Sequence, residues 1–292
     1  MDEPTSRKEL AGLLDHLSEA LPARDVSRLP LAPGARFTEN GQEVAPTEGI
    51  WAIATGLRSR PLTFVDPESG QAGFMAVAEE FGQPVGLTAR LKATAGRIKE
   101  LELIVARAPP LFNPDGMTGP SPLLKVIATE RRSTRQQMIA AAEAYFDALV
   151  SGDGNSIPVT HDCRRLENGT HTVLVSSTDF GSSVAGQGLR LFEMSVVDQI
   201  NTQFFTSLIH RTRDRRFVVD EEQNLVVGFA AWDEGARHTS AEVRGHGRIN
   251  FPPPFLKPHT NLVSEAFQLE DGRIRVIHAL FDYFPYGMKT GW

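Results

Sequence analysis

Leu10, Leu13, Leu14, Leu17 and Leu21 recur at the spacing of one helical face, and Ser6 with Glu9 forms a capping-box pattern just before them. Met138, Ile139, Ala142, Tyr145, Phe146 and Leu149 make a second stripe of the same kind. Behind each stripe runs a short extended piece ending in Glu-Asn-Gly, whose Asn-Gly step suits a tight type I′ hairpin. The pattern then predicts a second helix, roughly 48–57 in the first series and 197–209 in the second. Apolar strands joined by tight turns follow at 62–65, 73–80, 85–93 and 97–106, and again at 216–219, 225–233, 260–269 and 273–283. Helices first and strands afterwards is an α+β layout, with a curved antiparallel sheet wrapped around a helix.

The two series read as one unit written twice. Ala20, Leu21, Asp25, Pro30, Arg36, Glu39, Asn40 and Gly41 meet Ala148, Leu149, Asp153, Pro158, Arg164, Glu167, Asn168 and Gly169 at a constant offset of 128, without a gap. Val65-Asp66-Pro67-Glu68 is echoed by Val219-Asp220-Glu221-Glu222 at an offset of 154. Gly96-Arg97-Ile98 is echoed by Gly272-Arg273-Ile274 at 176. The growing offset means that the second copy carries insertions. The largest, rich in Ser and Gly, lies at 171–196 and is expected to be a long loop or lid. Prolines and glycines crowd 108–122, the signature of a linker. The organisation expected is a first domain at 1–107, a linker at 108–130 and a second domain at 131–292, which ends in an aromatic tail.

Composition narrows the function classes. The chain has 292 residues, 41% hydrophobic and 23% charged, which suits a folded soluble protein. A net charge of −6 argues against a nucleic-acid partner. One cysteine, Cys163, allows no internal disulfide. The start MDEPTSRKEL lacks a basic-then-apolar leader, and no apolar run reaches membrane-spanning length. No membrane partner and a cytoplasmic location are therefore expected. The eight histidines form no HExxH, and GxxxxGK[ST], GxGxxG and GxSxG are all missing. No metal and no cofactor are expected, although a scattered His/Asp metal site stays open.

Helix, Glu-Asn-Gly hairpin, helix, then long strands with Asp271-Gly272-Arg273-Ile274 in the last turn resemble the nuclear transport factor 2-like, or SnoaL-like, superfamily. The second copy's 209–229 and its ending at 265–292 are similar to tandem bacterial and fungal members. The resemblance implies two tandem cone-shaped α+β barrel domains, each with an apolar pocket, packed sheet to sheet as an internal pseudo-dimer, with a homo-oligomer left open. It also implies the chemistry of cofactor-free isomerases, dehydratases, epoxide hydrolases, polyketide cyclases and lyases that release formaldehyde from diarylpropane diols. Other members only bind or assemble. Fungal relatives carry a second cysteine after the second Glu-Asn-Gly, which this chain lacks.

What remains is acid–base chemistry in a pocket, and the resemblance implies a small aromatic or polyketide-like substrate for it. His210, Arg211 and Arg213 stand in a dense basic segment expected near the cone mouth; the same segment also reads as a solvated turn at a helix C-terminus. His259 and Glu265 share one strand face, and either would make a base if that face points inward. His278, with Asp282, could line the cavity or sit satisfied in the core. Tyr283 and Lys289, on the tail, could act as acids or oxyanion donors. Trp51, Tyr145, Phe205, Tyr286 and Trp292 are the expected walls for substrate. The Glu-Asn pairs at 39–40 and 167–168 read as structural. The alternative to an enzyme is a module that binds a ligand or protein without chemistry.

Overall fold

The structure, a computed structural model, describes residues 5–107, 109–118, 121, 123–176 and 187–291. Residues 177–186, the Ser/Gly-rich middle of the expected lid, and Trp292 lie outside the described residues. The first helix, α1 (Arg7–Ala23), buries the leucine stripe and carries the Ser6–Glu9 capping box at its start. Strands β1 (Leu31–Glu39) and β2 (Gln42–Glu43) form the first hairpin, α2 (Ile50–Ile53) follows, and then come β3 (Ala54–Asp66), β4 (Gln71–Glu80), β5 (Gln83–Thr94) and β6 (Arg97–Ala106). The second series is α3 (Arg135–Ser151), β7 (Val159–Glu167), β8 (Thr170–His171), α4 (Val196–Asn201), β9 (Ile209–Asp220), β10 (Leu225–Glu234), β13 (His259–Glu270) and β14 (Arg273–Pro285). Between β10 and β13 it adds a separate hairpin, β11 (Ser240–Val243) with β12 (Gly247–Asn250).

The two six-stranded sheets have the same order, β2-β1-β6-β5-β4-β3 and β8-β7-β14-β13-β10-β9. They are mixed rather than antiparallel, because β1 runs parallel to β6 and β7 parallel to β14. Among the described residues no pairing joins the edge strands, so each sheet is open and not a closed barrel. The Asn-Gly steps take the positive φ that a type I′ turn requires: 49° and 76° at Asn40 and Gly41, 50° and 86° at Asn168 and Gly169. Both asparagines are structural. Asn40 Nδ2 donates to the Val105 carbonyl (3.1 Å), and Asn168 Oδ1 accepts from the Phe281 amide (3.0 Å).

Two expected helices are shorter than their apolar patterns. The first ends at Ile53, since residues from Ala54 onward pair along β4. The second ends at Asn201. Gln203 adopts a φ of 67° and its carbonyl takes hydrogen bonds from the Thr206 and Ser207 hydroxyls, which turns the chain before Ile209. The expected basic turn at 209–216 is therefore strand, with a bulge around Asp214 at φ 54°. The linker also packs: Ile127 and Met117 are buried, and the Asn113 amide donates to the Asn168 carbonyl (2.8 Å).

The sheets meet face to face through Leu62, Phe64, Met75 and Ile104 on one side and Val218, Leu225, Val227, Phe229 and Ala266 on the other. Polar contacts at this interface are reciprocal. Arg7 at the start of α1 holds Asp220 at the end of β9 through two 2.9 Å bonds, and Asp220 also accepts from the Val65 amide (2.9 Å). Arg135 at the start of α3 holds Asp66 at the end of β3 (2.9 and 2.7 Å), and Asp66 accepts from the Val219 amide (3.1 Å). Gly73 sits where a Cβ would lie 2.3 Å from both the Ala89 carbonyl and the Phe64 ring. Gly73→Ala is expected to lower stability by about 1–3 kcal/mol, as a shift of the urea midpoint; an unchanged midpoint would contradict this packing. No helix among the described residues is long and apolar enough to cross a membrane.

Candidate active site

Alternation along β13 decides which residues face the interior. Val263, Phe267 and Leu269 pack into the core of the second half, so His259, Asn261 and Glu265 point the same way. Thr260, Ser264 and Ala266 face the other sheet, where the Ser264 and Thr88 hydroxyls meet at 2.6 Å. The inner face closes around a cavity of about 1030 Å³ whose walls include Tyr145, Phe204, Phe205, Trp232 and Phe281. Both insertions of the second copy build its mouth, through Leu189–Phe192 and through the run Pro252–Phe255. Phe204, Phe205, Phe251 and Phe255 pack edge to face there, at ring separations of 5.9–6.4 Å.

The floor holds a charged cluster. Arg165 is 1% exposed. Its Nε donates to Thr172 Oγ1 (2.9 Å), Nη1 to the Tyr145 hydroxyl (3.2 Å) and Nη2 to Gln199 Oε1 (2.6 Å), and it pairs with Glu167 at 3.4 Å. Gln199 in turn donates to the Thr172 and Leu191 carbonyls (2.6 and 2.8 Å), so the fork is fixed from behind. Glu167 on β7 and Glu265 on β13 flank Ala279, which is their partner on the intervening strand β14. Glu265 is fully buried just behind the cavity lining; neither carboxyl oxygen has a well-formed hydrogen bond, and the Tyr145 hydroxyl is the donor that faces it. Burial first, and the Glu167 carboxylate second, push its pKa up to about 8, against the pull of Arg165 and of the Tyr145 hydroxyl. At neutral pH the floor thus carries one protonated carboxyl beside an Arg165–Glu167 pair. Burial raises the Tyr145 hydroxyl as well, which keeps it a donor.

The rim is a second group. His259 Nδ1 lies 2.8 Å from the Lys257 carbonyl, and Nε2 lies 3.3 Å from Glu234. Asn261 Nδ2 donates to Glu234 Oε1 (2.8 Å), and the Tyr283 ring lies against His259, tilted by 44° with centroids 4.1 Å apart. Burial opposes charge on His259, but the Glu234 carboxylate outweighs it and the pKa is raised.

Of the residues the sequence singled out, His259, Tyr283, Tyr145 and Phe205 line this cavity. The others do not. Arg211 and Arg213 donate to buried Asp233 on the opposite face of β10 (2.7 and 2.9 Å), where both arginines and Thr260 hold the acid near pKa 2 despite its burial. His210 is on the outside of β9, 3.1 Å from the hydroxyl of exposed Tyr286. His278 faces away from the cavity, against Ser121 of the linker (2.7 Å), and Asp282 on the same face accepts from the Arg107 amide (3.0 Å). Lys289 is exposed; the tail runs to the first half, where Arg36 donates to the Gly291 carbonyl, rather than over the mouth. Trp51 is core of the first half, edge-on to Phe37 at 6.2 Å.

Glu265 is the base that the sequence offered beside His259, while Arg165, Glu167, Glu234 and Asn261 are the site members that the sequence pattern did not assemble. The repeat offsets contain the missing signal. At the offset of 128, Tyr145 and Arg165 stand where the first half has Leu17 and Phe37; at 176, Asn261, Glu265 and Ala279 stand where it has Val85, Ala89 and Leu103. Glu39 and Glu80 match Glu167 and Glu234, but in the first half Arg107 bridges them, donating to each at 2.7 Å. The first half is filled and cross-linked where the second is hollow and polar. Among the described residues no group of three or more acids, histidines or cysteines is placed to hold a metal ion.

A family model described as a domain of unknown function, DUF8021, matches residues 131–281. No curated protein matches the chain. Among solved structures, an LEH-like epoxide hydrolase of M. tuberculosis is 15% identical over 50% of this chain and 84% of that one, with a TM-score of 0.29. A putative polyketide cyclase of Xanthomonas campestris pv. campestris is 16% identical over 51% and 93%, with a TM-score of 0.32. AusH of Aspergillus nidulans is 16% identical over 51% and 86%, with a TM-score of 0.30. Likenesses this faint carry neither fold nor chemistry over to this chain.

Proposed function

The chain belongs to the family described as a domain of unknown function, DUF8021, through its second half, and we propose that this half is a small-molecule enzyme working by acid–base chemistry at the cavity floor. The observation that carries the reading is the row Glu167–Ala279–Glu265 with Arg165 and Tyr145, set against Glu39–Leu103–Ala89 with Phe37 and Leu17 in the first half. A buried carboxyl so sparsely hydrogen-bonded costs stability, and it is found where function requires it. Glu265, its proton held by burial, is the proton donor, and Glu167 is the neighbouring carboxylate that accepts. Arg165 and Tyr145 stabilise negative charge developing between them. Apolar and aromatic walls suit a small aromatic or polyketide-like substrate. The first half is then a filled partner, and the two form an internal pseudo-dimer supported by the reciprocal Arg–Asp contacts.

Within this class, deformylation of a diarylpropane diol uses both acids. Glu265 protonates the benzylic hydroxyl, which leaves as water. Glu167 takes the proton of the hydroxymethyl group as its carbon–carbon bond breaks. The electrons of that bond pass to the benzylic carbon, giving formaldehyde and a diarylethene. Mass spectrometry of two-ring phenolic ketones and diols incubated with the protein tests the class, through isomerisation, loss of water or loss of formaldehyde. Turnover is expected in the wild type and at least about a hundredfold less in Glu265→Gln, the usual scale for losing a general acid. Binding without turnover, or turnover indifferent to Glu265→Gln, would overturn it in favour of a binding module.

A further inference from the structure

The cavity has two polar ends. Glu265 and His259 share the inner face of β13 but stand six residues apart, and an extended strand of that length spans about 20 Å. The floor and rim groups therefore cannot act on one bond. A ligand that satisfies both is long, with a polar group at each end and an apolar body between, where Phe204, Phe205 and Trp232 form the walls. The two ends differ in charge. At the floor, Arg165 is balanced by Glu167. At the rim, Glu234 stands against His259 and is bonded by Asn261, while Lys257 pairs with no acid among the described residues. That leaves Lys257 at the mouth without an acid of its own and a charge-balanced floor.

We propose that the ligand is an elongated aromatic monocarboxylate, its carboxylate held at the rim by Lys257 and a neutral oxygen acceptor, carbonyl or hydroxyl, delivered to Glu265 and Tyr145. The proposal rests on the reading of the cavity as a small-molecule site and adds the polarity and length of its occupant. The rim then sets recognition and orientation, and the floor does the chemistry. Arg165, engaged by Tyr145, Gln199 and Glu167, is no anchor for the carboxylate.

The test is calorimetric titration with a trans-stilbene carrying a para carboxylate on one ring and a para acetyl group on the other, with its methyl ester, and with the acid lacking the acetyl group. The acid is expected to bind the wild type at least about tenfold more tightly than the ester, and to keep less than about threefold preference in Lys257→Met. Loss of affinity on removing the acetyl group is expected to persist in Lys257→Met and to vanish in Glu265→Leu. Equal binding of acid and ester by the wild type, or both preferences erased by the same substitution, overturns the two-ended ligand; the ester binding in such a case leaves the small-molecule cavity standing. Failure of every probe to bind overturns both.

Discussion

Arg165→Ala is expected to lower stability by about 3–5 kcal/mol, the range for removing one partner from a buried ion pair. The guanidinium touches four acceptors from four places in the chain: Thr172, Tyr145, Gln199 and Glu167. Alanine leaves the Glu167 charge without its cation and several polar atoms without partners, in a site that is 1% exposed. Arg165→Lys keeps the charge but presents a point donor instead of a fork, so it is expected to restore only part of the loss. Urea unfolding followed by circular dichroism reads both. A wild-type midpoint for Arg165→Ala would mean that water already satisfies the cluster, and the dry floor on which the acid–base reading depends would be gone.

The same residue shows what could be read from the sequence and what could not. Helical stripes, the Asn-Gly turns and the four long strands of each series were visible, since they depend on local periodicity and turn chemistry. Strand faces were not. His259 and Glu265 alternate with residues as mixed as themselves, because both faces of β13 are buried, one against the cavity and one against the other sheet. The charge-rich run at 209–216 has the composition of a site, yet Arg211 and Arg213 serve a buried aspartate on the far side of β10. The strongest signal of the site was a difference between copies, polar in one and apolar in the other. Such a difference gains meaning only once the strands β7, β14 and β13 are known to lie side by side.

Glu265→Gln is expected to stabilise the folded protein at neutral pH while removing its proton donor. The pKa of this carboxyl is raised from an ordinary 4.5 to about 8, chiefly by burial. Below the ordinary value the folded and unfolded chains both hold the proton. Between the two values the unfolded chain releases it and the folded chain keeps it, so a rise in pH favours unfolding. Above about 8 both are ionised and the difference is constant. Wild-type stability should therefore fall across this window relative to Glu265→Gln, with a slope approaching about 1.4 kcal/mol per pH unit. The raised pKa of His259 gives a slope of the same sign, lost as pH rises through its folded value, but it is common to both proteins and cancels in the comparison. Urea unfolding of the pair from pH 5 to pH 8 measures the slope. A flat difference would mean that the carboxylate is ionised in the folded state, with a counter-ion or water the structure does not place. A falling one would identify a group whose retention weakens the fold throughout the physiological range, which leaves chemistry at the cavity floor as the reason it stands where the first half has Ala89.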